Sequence, residues 1–148
     1  MAKNIVTYDD VSAVQEIGQL RVEIPVELLA HQQISLAADA TGVKYTTPYT
    51  FLISADMIQQ ANAFYIEAHI EASVTDSVTA VEFYDETGVA VRGTASGNAG
   101  ARVRSADFLG SLVAGNEHSV RVNVTTASAT AGATTGVRRA ALIIALKH

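Results

Sequence analysis

Glu67, His69 and Glu71 are the residues of this chain whose types come nearest to a chemical site, since imidazole and carboxylate groups bind metal ions. They occupy every second position of "FYIEAHIEAS", so one face of a strand presents all three. Neighbours on such a face stand about 7 Å apart, too far to chelate one ion without help from another strand. A solvated polar face is expected there, and no metal. The other histidines, His31, His118 and His148, have no comparable company in sequence. Asp9-Asp10 and Asp85-Glu86 are acid pairs of the kind a calcium loop uses. Neither fits an EF-hand pattern, and helix caps and turns favour the same residues. Ser105 lacks a Gly-x-Ser-x-Gly elbow. "GTASGNAG" lacks the Gly-Lys-Ser/Thr ending and following helix of a phosphate loop. The chain has no cysteine, which excludes disulfides, thiol chemistry and Cys zinc sites. No catalytic residue and no cofactor is expected.

The charged residues point to pairing. Arg102 and Arg104 share a strand face and could clamp a carboxylate. Pairing with acids of an adjacent strand, such as Glu67 or Glu71, or across a subunit contact, is the expected use; Arg138 and Arg139 are further candidates. Residues 1–88 hold thirteen of the fifteen acids with only Lys3, Arg21 and Lys44. Residues 89–148 hold seven bases against Asp107 and Glu117. The asymmetry is satisfied inside one sheet, by acidic strands beside basic ones, or outside it, between neighbouring copies. A net charge of −5 argues against nucleic acid as a partner. Tyr45, Tyr49 and Tyr65 are the candidates for stacking on a sugar ring, in a chain without tryptophan.

The elements that must carry these residues are strands. "FYIEAHIEASV" sets Phe64, Ile66, Ala68, Ile70, Ala72 and Val74 on one side. "SVRVNVT" does the same with Val120, Val122 and Val124, and "LRVEI" with Leu20, Val22 and Ile24. Val78–Tyr84 and Val89–Thr94 read as a hairpin through Asp85-Glu86-Thr87-Gly88, with Gly88 free to take positive φ. "ARVRSADFL", "QQISLAA" and "YTFLIS" are further strands, while 93–100 and "TTASATAGATTG" read as loops. "SADMIQQANA", capped by Ser54, and "YDDVSAVQEIG" are short helix candidates.

The expected fold is all-β: an antiparallel β-sandwich or jelly roll of about eight strands, with at most one or two short helices. Residues 1–18 form an N-terminal arm or short helix and 19–148 the sandwich domain. The last strand, "GVRRAALIIALKH", is apolar on both faces: Val137, Arg139, Ala141, Ile143 and Ala145 on one, Arg138, Ala140, Leu142, Ile144 and Leu146 on the other. A second sheet covers one face. The other needs a further cover, which makes Leu142, Ile144 and Leu146 candidate oligomer-interface residues, together with Val11, Val14 and Ile17 of the arm.

The run from "FYIEAHIEAS" through "VEFYDETGVAV", "RVRSADF", "EHSVRVNV" and "RRAALIIAL" resembles the jelly-roll modules of phage structural proteins and of carbohydrate-binding or extracellular domains. The likeness spans residues 50–148 and rests on strand rhythm. Among structural users of the fold, a chain this small with no leading signal is similar to phage capsid cement, or decoration, proteins. The resemblance implies a homo-oligomer, often a trimer, bound to a major capsid protein on the virion surface after synthesis in the host cytoplasm. It transfers no functional residue. The function expected is thus non-enzymatic: a structural protein that binds itself and a larger assembly, with no nucleic-acid or membrane partner. The alternatives are a carbohydrate-binding module, using Tyr45, Tyr49 or Tyr65, and an extracellular filament subunit.

Overall fold

Alternation of apolar and polar residues buries one face of a strand, and two such faces make a sandwich core. The computed structural model describes residues 22–29 and 33–147. Its strands are β1 (Glu23–Leu29), β2 (Ile34–Ala37), β3 (Gly42–Thr46), β4 (Phe51–Leu52), β5 (Ala61–Ala72) and β6 (Val78–Asp85). They continue with β7 (Ala90–Gly97), β8 (Arg102–Arg104), β9 (Glu117–Thr126) and β10 (Thr134–Leu146). One short helix, α1 (Ala55–Gln60), lies among the described residues, and its first turn is capped by the Ser54 hydroxyl, which accepts from the Met57 N–H.

The strands form two antiparallel sheets. Sheet A runs β1–β10–β5–β8, with β2 also on β10; sheet B runs β3–β9–β6–β7, with β4 also on β9. β1 pairs with Ala140–Ala145 and β2 with Thr134–Val137, so two short segments fill one strand position beside β10. β3 and β4 share β9 in the same way. Ten segments therefore occupy eight positions, four per sheet, in jelly-roll order.

Between the sheets lie Phe64, Ile66 and Ile70 of β5, Val81 and Phe83 of β6, Val120 and Val122 of β9, and Val137, Ala140, Leu142 and Ile144 of β10. Each large side chain buried here contributes roughly 1.5–3 kcal/mol. This placement corrects the expectation for the last strand. Leu142 and Ile144 are 3% and 4% exposed and face the opposite sheet, and Leu146 packs against the same core. The chain's own second layer covers them, so they are not interface residues in need of a partner. Val11, Val14 and Ile17 lie outside the described residues.

The two faces of β10 are also assigned differently from simple alternation. The β10–β5 register shifts between Val137 and Arg139. A bulge there puts Arg138 and Arg139 both on the exposed side and brings Val137 onto the core side with Ala140. Neither arginine is then forced into the core.

Two loops differ from expectation. β7 continues through Gly97, so most of 93–100 is strand. Its small residues suit Phe108, whose ring packs between Phe64 and Phe83 at 6.2 and 5.6 Å. A Cβ on Gly93 would stand 2.3 Å from that ring. In the β6–β7 turn the positive φ falls on Val89 (52°) and not on Gly88. Gly88 is required for space: a Cβ there would stand 2.7 Å from both Asp85 and Arg92.

Candidate functional site

The outward face of sheet A is a layered charge array whose rows are set by register. Glu23, Ala145 and Ala63 form one row, and Pro25, Ile143 and Tyr65 the next. The third is Glu27, Ala141, Glu67 and Arg104, and the fourth Arg139, His69 and Arg102. Arg104, on β8, makes a bidentate bond to Glu23, on β1, at 3.0 and 3.1 Å, and donates to Glu67 at 2.9 Å. Since β5 and β10 lie between β8 and β1, this pair extends over the middle of the sheet, with the guanidinium 5.2 Å from the centre of the Tyr65 ring. Ala141, Ile143 and Ala145 are all buried on this side. The bond to Glu23, acting against burial, and the bond to Glu67 raise the Arg104 pKa above its usual value.

Arg138 pairs with Glu71 at 2.8 Å and Arg139 with Glu27 at 3.1 Å. The ion pairs among the described residues join bases of the second half to acids of the first, Arg92 to Asp85 and Arg121 to Glu86 included. The side chains of Arg102 and His69 have no ion pair or hydrogen bond among the described residues. A hollow of about 320 Å³ opens beside them, lined by Glu27, Glu67, His69, Arg102, Arg138 and Arg139 over Ala68 and Ala141.

A second charged cluster lies inside sheet B. Asp85, fully buried at the end of β6, accepts from the Gly88 N–H (2.7 Å), from Arg92 Nε and Nη2 (3.1 and 2.8 Å) and from the Asn116 amide (2.9 Å). Burial alone would raise its pKa. The Gly88, Asn116 and Arg92 donors outweigh burial and hold the carboxyl at about 2. His118 lies 4.0 Å from Asp85, fully buried and stacked on Phe83 with ring centres 4.8 Å apart. Neither ring nitrogen has a hydrogen-bond partner. Burial lowers the His118 pKa despite the nearby Asp85 charge, so the ring is neutral at pH 7.

The array brings together Arg102, Arg104, Arg138 and Arg139, and commits Glu67 and Glu71 to arginines, leaving His69 between cations. The three tyrosines are dispersed. Tyr65 lies under Arg104, Tyr45 packs against the core, and Tyr49, about half exposed, donates its hydroxyl to the Leu28 carbonyl. Sequence reasoning missed Glu23 and Glu27 as partners, because their proximity depends on β1 lying beside β10. It also missed the Asp85 hub, whose donors come from a turn, a bulge and the loop before β9.

A further feature lies on the open flank of the sandwich. Ile24 and Val26 pair with Ile144 and Leu142 and so point to the core side, yet they and Val22 are 43%, 40% and 48% exposed. Among the described residues β1 is an edge strand, with Pro25 near its middle.

No protein-family model and no curated protein matches the chain. Among solved structures, the chain is similar to one described as the structure of infectious bursal disease virus Gx strain, with 9% identity and a TM-score of 0.44. The match covers 85% of this chain and 32% of that one. It is also similar to a family two carbohydrate esterase from Cellvibrio japonicus, with 11% identity and a TM-score of 0.33, over 86% of this chain and 35% of the other. The chain spans about a third of the length of each.

Proposed function

We propose that this chain is a non-enzymatic structural β-sandwich that associates with copies of itself and with a larger assembly, as a capsid decoration protein does on a virion surface. The observation that carries the reading is the row of Val22, just before the edge strand β1, with Ile24 and Val26 inside it. Three branched apolar side chains at alternate positions extend about 13 Å along one face of one strand. Contiguous exposed apolar surface on an otherwise charged rim is the usual anatomy of a protein contact. Pro25 removes one backbone donor from this edge, which disfavours open-ended strand addition. Contact through side chains, between a limited number of copies, is what remains.

The occupant of this flank is a second copy of the chain. Light scattering of the full chain at micromolar concentration should give an oligomer of defined mass. Ile24→Asp, at a position 43% exposed, should yield a folded monomer with unchanged circular dichroism. A wild-type chain that is monomeric at every accessible concentration, or an Ile24→Asp oligomer of wild-type mass, would overturn the reading.

A further inference from the structure

We infer that the hollow on the outward face of sheet A binds a single carboxylate group, with Arg102 as its principal ligand and His69 and Arg139 beside it. The inference rests on how the arginines of this face are occupied. Arg104 is saturated by Glu23 and Glu67, Arg138 holds Glu71, and Arg139 holds Glu27. Arg102 is exposed and holds no carboxylate among the described residues. Its planar fork offers parallel N–H donors at the spacing of carboxylate oxygens.

Register then builds the surroundings. Arg139, His69 and Arg102 stand directly across from one another on β10, β5 and β8. The outer backbones of that row are about 10 Å apart, two strand spacings. No acid occupies the row, so two cations face each other over an imidazole. The adjacent row falls to Ala141 in its centre, and the missing side chain leaves the 320 Å³ hollow. The bulge at Arg138 adds a third arginine to the rim.

The charge of the lining selects the class of ligand. Three arginines against two glutamates, Glu27 and Glu67, leave one unit of positive charge among these five side chains. A monoanion neutralises that charge. A phosphate or sulfate dianion would overshoot it and meet the two glutamates at short range. A carboxylate reaches such a site either as the acidic side chain of a protein or as an acidic sugar, and the chemistry read by Arg102 is the same.

Titration of the full chain, followed by two-dimensional NMR at ionic strength held constant with chloride, tests the inference with four probes. These are acetate, N-acetyl-aspartate amide, glucuronate and inorganic sulfate. Acetate should produce saturable shifts at His69, Arg102 and Ala141, and Arg102→Gln should weaken binding at least tenfold. Lys147→Gln, which removes one positive charge elsewhere, should leave it unchanged. Tenfold tighter binding of the aspartate derivative assigns the ligand to a protein; the same gain for glucuronate assigns it to a sugar. Non-saturating shifts with every carboxylate, equal binding by Arg102→Gln, or preference for sulfate would each overturn it.

Discussion

The Asp85 cluster and the outward face of sheet A use the same chemistry, arginine on carboxylate, to opposite ends. In the first, one carboxylate with no exposure takes donors from a turn glycine, an arginine and an asparagine, and the arginine is only 20% exposed. In the second, Arg104, Arg138 and Arg139 keep 39%, 62% and 50% of their side chains in contact with solvent. Burial removes the alternative of hydration, so losing one partner inside leaves the other uncompensated. Outside, water replaces a lost partner at little cost. The cluster in sheet B therefore fastens the end of the sandwich, while the face of sheet A holds its charges in order and leaves them accessible.

Breaking the buried side should have the largest effect. Asp85→Ala strands the Arg92 guanidinium, the Gly88 N–H and the Asn116 amide, and should lower unfolding free energy by about 3–5 kcal/mol in urea titration. A loss below about 1 kcal/mol would mean that the hub is not a fastening.

Acid separates the same cluster into two steps. His118 has a folded pKa below its unfolded value, near 6.5. The unfolded chain therefore takes up the proton first, and stability falls as pH drops below about 6.5. Asp85 follows. Its pKa of about 2 against 3.8 contributes stability that is complete above pH 4 and lost between about 4 and 2, on the order of 2 kcal/mol. His118→Phe keeps a ring on Phe83 and removes two unpartnered nitrogens. It should flatten the upper step and leave the lower one, measured as melting temperature against pH. An unchanged upper step would place its origin elsewhere.

The exposed side should respond least. Arg104→Ala removes two ion pairs, one of which spans the sheet, yet a cost of about 1 kcal/mol or less is expected for pairs this accessible. A cost similar to that of Asp85→Ala would erase the contrast between the two regions.

How far the sequence foretold these regions follows from what each depends on. β5 and β9 are plain in "FYIEAHIEAS" and "SVRVNV" because one face is wholly buried and alternation is uninterrupted. β10 is recognisable as a strand, but its faces are not, because the bulge at Arg138 resets the alternation. Two adjacent arginines in an otherwise apolar strand carry that signal, since strict alternation would drive one into the core. β3, short and at an edge, has too little pattern to read. The second half of β7 looks like a loop because its small residues answer to Phe108, a contact distant in sequence. The pairing of Arg104 with Glu67 follows from adjacent strands, whereas its bond to Glu23 needs the order β1–β10–β5–β8. Nothing local to Asp85 foretells Asn116.

Association of copies would bring the accessible region of one chain near its neighbour at the flank formed by Val22, Ile24 and Val26. The absence of cysteine permits a direct measurement. A spin label on the single thiol of Val26→Cys reports distances between copies by pulsed dipolar spectroscopy. Association through this flank predicts a defined inter-copy distance that disappears when Ile24→Asp is added. A dipolar signal with no defined distance, or one indifferent to Ile24→Asp, would contradict it.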